Sequence, residues 1–217
     1  ILIPALSHSR PMPEPEQGAQ HRQTKMKTGI IVGLMLFYFA ITYCSLVVTF
    51  NTSYLTAEGG MHSSTAGIII SLFFIAIMAP GFILGDIVRL LGNKTNLCSL
   101  IVMAAGLGLM SLSKPTETTL CLGAALSGIG YGVMQPLIYD KAATNAPPHL
   151  ATLALSIVMA VNYLAILVAP FIIDLTGRIF DSESHTLAFK TNAIISLALA
   201  IATALLYRRS RVLGSDD

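Results

Sequence analysis

Six stretches of this chain are long and apolar enough to cross a lipid bilayer, and none of them contains Asp, Glu, Lys or Arg. They cover residues 29–50, 66–85, 95–112, 118–139, 150–173 and 191–207. About 20 residues at a 1.5 Å rise span a 30 Å hydrocarbon layer. The third and sixth reach that length only with the flanking polar residues Thr95, Asn96 and Thr191. Leu, Ile and Ala dominate with scattered Gly, which suits helices better than the alternating pattern of membrane strands. The spacing predicts an all-α membrane protein built as a six-helix bundle over residues 29–207.

Composition supports this and excludes the alternatives. Only 11% of the residues are charged, where a soluble domain carries about 25%. A net charge of +2 offers no basic groove for phosphates, so nucleic acid is not an expected partner. The lipid bilayer is. Cys44, Cys98 and Cys121 lie in or beside apolar runs and read as small buried hydrophobes.

The loops orient the bundle. With residues 7–28 placed inside, that side collects Arg10, Arg22, Lys25, Lys27, Arg89, Lys94, Lys141, Arg208, Arg209 and Arg211, and the other keeps Lys114, Arg178 and Lys190. Ten basic residues against three is a positive-inside bias that puts both ends of this segment, including the tail at 208–217, in the cytoplasm. Residues 7–28 are polar and carry Pro11, Pro13 and Pro15, so they read as a cytoplasmic linker. The apolar Ile1–Leu6 resembles the end of a preceding span, and the expectation is that the chain is part of a longer polypeptide.

An internal echo joins the halves of the bundle. The second span ends Ala79-Pro80 and then Asp86; the fifth ends Ala169-Pro170 and then Asp174. Similar features on opposite sides of the membrane are the pattern of an inverted three-helix repeat. Pro80, Pro136 and Pro170 each free a carbonyl, either as a static kink or as a bend that moves. Gly123, Gly128, Gly130 and Gly132 bare two surfaces of the fourth span for close packing, and Gly106 and Gly108 suggest the same in the third.

Polar side chains inside the spans mark the candidate site. Tyr38, Thr42, Ser45 and Thr49 form one stripe on the first span; Ser127, Tyr131, Gln135 and Tyr139 repeat every four residues on the fourth. Each stripe faces either a neighbouring helix or a water-accessible cavity. Gln135 cannot easily satisfy its amide on its own helix, and Asn162, with Tyr163, lies near the middle of the fifth span, where an unpaired amide is costly. No carboxylate, His or basic side chain sits at mid-membrane, and no hydrolase, metal or Cys/His motif occurs. No residue is assigned a catalytic or metal-binding role, no cofactor is expected, and the chain does not read as an enzyme.

With these features in place, the chain resembles the C-terminal half of a major facilitator superfamily transporter, a twelve-helix fold of two six-helix bundles. The segment Gly85-Asp86-Ile-Val-Arg89-Leu-Leu-Gly92-Asn-Lys94 is similar to a stretched form of the family's cytoplasmic loop motif. Pro170-Phe-Ile-Ile-Asp174-Leu-Thr-Gly177-Arg178 resembles the segment after its eleventh helix, and Gly128–Pro136 suits its tenth. Ile1–Leu6 would then close the sixth helix.

The resemblance implies alternating access to a central site, with a small-molecule substrate, a missing N-terminal six-helix bundle of the same polypeptide, and protons as a candidate coupling ion. Proton-coupled efflux is one form of this; a non-transporting membrane scaffold or solute sensor is the alternative. A bacterial inner membrane is the expected location. Gln135 is the first candidate for reading the solute, helped by Thr42 or Tyr43 and by Asn162 or Tyr163. Asp86 and Arg89, placed in the turn between the second and third spans, either set an inner gate or form an ordinary solvated turn.

Overall fold

The computed structural model describes residues 27–112, 114–180 and 185–213, with side chains as far as Tyr207. Residues 1–26, which hold the apolar start and nearly all of the linker, and residues 214–217 lie outside the described residues. The described elements are six α-helices, α1 (Thr28–Glu58), α2 (Ser63–Leu91), α3 (Thr95–Met110), α4 (Glu117–Thr144), α5 (Ala151–Ile179) and α6 (Thr186–Leu213), with no strand among them. All but one extend well beyond their apolar spans. A helix satisfies its own backbone wherever it runs, and polar side chains in its last turns reach headgroups or water, so hydropathy marks the buried part and not the helix end.

The turn between the second and third spans differs from expectation. α2 continues to Leu91, and a single 3-10 turn, Gly92–Lys94, leads directly into α3. Asp86 and Arg89 therefore sit on the last turns of a helix, not in a loop. Ile87, Val88, Leu90 and Leu91 sustain that helix past the charge-free span, and Gly92, at φ 52°, supplies the left-handed residue that ends it. At 16 residues α3 is about 24 Å long, shorter than the hydrocarbon layer.

Contacts at the helix ends show that the spans alternate in direction. At one end the Lys27 amide donates to the Asn145 carbonyl, joining the start of α1 to the end of α4. At the other end the Thr65 hydroxyl donates to Glu117 at 2.6 Å, joining the starts of α2 and α4. There too the His185 amide donates to Glu58, and the His185 ring stacks on Tyr54 with centroids 4.9 Å apart.

The packing repeats itself. α1 packs on α5 as α4 packs on α2, α3 meets α4 as α6 meets α1, and α1 touches α2 as α4 touches α5. The pairs α3–α6 and α1–α4 map onto themselves. Exchanging the first three helices for the last three thus leaves the pattern of neighbours unchanged, as an internal three-helix repeat requires. The echoed pairs Ala79-Pro80 and Ala169-Pro170 fall within the exchanged helices α2 and α5, and each helix continues through its proline.

Glycines make α3 and α4 cross closely. A Cβ on Gly106 would stand 2.5 Å from the Gly123 carbonyl and the Ser127 hydroxyl, and one on Gly130 would meet the Ser99 carbonyl at 2.6 Å. Gly128 and Gly132 do the same toward α2, where they meet the backbone carbonyls of Phe73 and Ile77. The two bare surfaces of α4 thus serve α2 and α3. Gly108 departs from expectation: nothing lies within 4 Å of its added Cβ, because it points away from the crossing that Gly106 makes.

Candidate functional site

The middle of the bundle contains a hydroxyl–amide junction that ties α1, α4 and α5 together. Thr42 and Tyr131 face each other across the antiparallel pair α1–α4, with hydroxyls 3.2 Å apart. Both donate to the side-chain carbonyl of Asn162 on α5, Thr42 at 2.9 Å and Tyr131 at 3.2 Å. Thr42 and Tyr131 are buried and Asn162 is half-buried. Inside apolar helices such groups are costly to leave unmet, and here each finds a partner on another helix.

One turn along α4 a second chain of contacts begins. Gln135 donates its Nε2 proton to the Tyr139 hydroxyl at 3.2 Å. Tyr139 in turn lies 2.6 Å from the Tyr38 hydroxyl, with the two rings edge to face. Either hydroxyl can donate in that contact, and Tyr139 thereby links Gln135 to Tyr38. The four-residue spacing on α4 and the Tyr38–Thr42 spacing on α1 bring this about: antiparallel helices with matching stripes meet at two successive levels.

The other expected residues take different places. Tyr43 is buried on a neighbouring face of α1, where it faces Asn192 of α6 and Thr176 near the end of α5. Tyr163 is 65% exposed and points away from the junction, one residue round the helix from Asn162. Ser45 returns its hydroxyl to the Thr42 carbonyl of its own helix, and the hydroxyl oxygen of half-buried Thr49 is buried without a hydrogen-bond partner. Ser127 lies in the α3–α4 crossing, fully buried, and its hydroxyl also lacks a partner. The structure therefore brings together Thr42 and Asn162, with Gln135 one level away, and separates Tyr43 and Tyr163 from them.

Tyr131, Tyr139 and Tyr38 are the connecting residues that attention to amides alone passes over. Their positions were legible as members of the two stripes, but their role as bridges required knowing which stripes face each other.

Asp86 and Arg89 are both exposed, and neither forms an ion pair among the described residues. Asp174 pairs with Arg178 on the exposed end of α5 at 2.9 Å. Among the described residues no three His, Cys, Asp or Glu side chains gather in a way that would hold a metal ion. The junction's chemistry is that of neutral hydrogen bonding.

Five apolar helical segments of the described chain are long enough to cross a membrane, with α2 and α3 counted as one continuous segment. No curated protein matches the chain. The family model of the Major Facilitator Superfamily matches residues 30–216, which spans all six helices. This helical chain, with apolar helices and a polar junction between them, belongs to the Major Facilitator Superfamily, whose members carry solutes across membranes.

Proposed function

We propose that this bundle is the C-terminal half of an alternating-access secondary transporter, and that its solute contacts lie at the α1–α4–α5 junction. The observation that carries the reading is the Thr42–Tyr131–Asn162 cluster, with Gln135 one turn beyond it, in helices that are otherwise apolar. Half-buried amides at mid-helix, with polar ends still unengaged, suit a site that a small solute completes. Within it Gln135 and Asn162 contact the solute, and Thr42 positions Asn162. Tyr43 and Tyr163 lie outside this inner set: Tyr43 supports α6, and Tyr163 faces outward, toward lipid or a second bundle.

The second bundle of the same polypeptide supplies the opposite wall of the passage, and the exposed apolar side chains of α2 and α5, such as Phe82, Leu167 and Phe171, give it a surface to meet. The basic end faces the cytoplasm of a bacterial inner membrane, as the distribution of Lys and Arg supports. Asp86 and Arg89 at that end pair with groups across the bundle interface when the inner passage is closed. Proton coupling, where it operates, draws on acidic groups of the other bundle, since the carboxylates described here stand at helix ends.

Uptake and counterflow in proteoliposomes, using the full-length protein and a panel of small solutes, test this reading. Flux that Asn162→Leu abolishes while the protein stays folded supports it. A folded protein that moves no solute class gives way to the scaffold or sensor reading, in which the bonds of Thr42 and Tyr131 to the Asn162 carbonyl serve only to join the helices.

A further inference from the structure

We infer that the solute wall of this bundle selects uncharged compounds that present a hydrogen-bond acceptor and a donor side by side, as a primary carboxamide or a lactam does, with Asn162 Nδ2 meeting the acceptor and Gln135 Oε1 meeting the donor. This rests on the transport reading above and adds to it the chemical class of the solute.

The two amides are each half engaged, in opposite senses. The Asn162 carbonyl receives both the Thr42 and the Tyr131 hydroxyl protons, at 2.9 and 3.2 Å. A carbonyl oxygen has two lone pairs, so this end is full and the amide plane is held. Its Nδ2 has no partner among the described residues. On Gln135 one N–H of Nε2 goes to Tyr139, and Oε1 has no partner among the described residues. What remains free is the Asn162 amino group, with both of its N–H donors, and on Gln135 the carbonyl acceptor beside one N–H. Both side chains are half-buried and so within reach, whereas Thr42 and Tyr131 are buried and already paired.

The two amides lie at neighbouring levels of the junction, linked through Tyr131. Gln135 stands four residues, about 6 Å in depth, from Tyr131, whose hydroxyl touches Asn162. Tyr139, half-buried one turn beyond Gln135 on the same stripe, offers aromatic surface to a flat solute. Charge is selected against. No Asp, Glu, Lys, Arg or His lies within the central turns of α1, α4 or α5, so an ion entering here would lose its hydration without a countercharge from this wall. Hydrogen-bonding sites reject analogues that lack the complementary group far more strongly than apolar pockets reject a missing methylene.

The test uses the full-length transporter in nanodiscs and four ligands that share one ring: benzamide, N,N-dimethylbenzamide, benzoate and benzylamine. Affinity is read by ligand-observed NMR titration, and transport is scored separately in proteoliposomes. Benzamide is expected to bind about tenfold or more tightly than the other three, the loss expected for one unmet buried hydrogen bond. Gln135→Met should erase the difference between benzamide and its dimethyl analogue, because the acceptor that reads the N–H is gone. Gln135→Glu keeps an acceptor oxygen and should retain that difference, which separates reading from packing.

Preference for benzoate or benzylamine, or binding of none of the four, overturns the class while leaving transport to stand on its own assay. An unchanged benzamide preference in folded Gln135→Met also overturns it. A folded protein that transports nothing overturns the underlying transport reading instead.

Discussion

Thr42 donates its hydroxyl proton to the side-chain carbonyl of Asn162 over 2.9 Å, across 120 positions of sequence. The same oxygen takes the proton of Tyr131, so one amide oxygen holds three helices at a single level. The bond belongs to both stability and function: it anchors α5 to the α1–α4 pair, and it turns the Asn162 amide so that its N–H end is free.

Removal of that oxygen should loosen the junction. Asn162→Leu leaves Thr42 and Tyr131 bonded to each other but without their common acceptor. A loss of about 1–2 kcal/mol is expected, or a fall in Tm of about 2–8 °C for a chain of this size. Tyr163→Ala, at an exposed position next in sequence, should change stability by less than about 0.5 kcal/mol. Thermal unfolding in detergent compares the two; equal losses would remove the structural role of the junction.

The glycine crossings should be intolerant of a methyl group. Gly132→Ala drives a Cβ into the Ile77 backbone carbonyl, and Gly106→Ala drives one into Gly123 and Ser127. Each should cost about 1–3 kcal/mol or more, because backbone cannot yield as a side-chain tip does. Gly108→Ala meets open space and, through helix propensity, should be neutral or stabilising by up to about 1 kcal/mol. The yield of monodisperse protein and its melting temperature report the contrast.

The gate proposal predicts a change in access without a change in affinity. Asp86→Asn removes the charge from an exposed position one helical turn from Arg89. An interaction of about 0.5–2 kcal/mol at that boundary would shift a nearly balanced equilibrium several-fold. Labelling of cysteines introduced along the cytoplasmic passage should change by that factor, with solute affinity in a locked conformer unaltered. Unchanged labelling identifies Asp86 as an ordinary helix-end residue.

The cysteines provide a check on burial that needs no substitution. Cys44 is fully buried in the core of α1, whereas Cys98 and Cys121 are half-buried. A maleimide should therefore leave Cys44 unmodified in the folded protein and reach it only on denaturation. Mass spectrometry after labelling assigns each site, and rapid modification of Cys44 under native conditions would contradict the packing of α1.

Much of the architecture was legible because membrane crossing imposes local rules. Each span must keep charge out and satisfy its own backbone, so number, approximate position and helical type follow from runs of residues read one at a time. Packing through Gly123, Gly128, Gly130 and Gly132 was legible for the same reason, since a residue without a side chain in a membrane helix invites close approach. Helix ends were not. Asp86 and Arg89 looked like a loop because they are charged, yet a charged residue at the interface remains helical when its neighbours favour it.

The site divides in the same way. Sequence alone determined that the first, fourth and fifth spans carry polar groups at mid-depth, because Thr42, Gln135 and Asn162 stand out against apolar neighbours. Only the tertiary structure decided which of them meet. Thr42 and Tyr43 are adjacent, as are Asn162 and Tyr163, and adjacent side chains on a helix point about 100° apart. The rotation of α1 and α5 is set by how α2, α4 and α6 pack around them, and that rotation turns Thr42 and Asn162 inward together while sending Tyr43 to α6 and Tyr163 outward. Periodicity specifies the stripe; the packing of several helices at once selects the face.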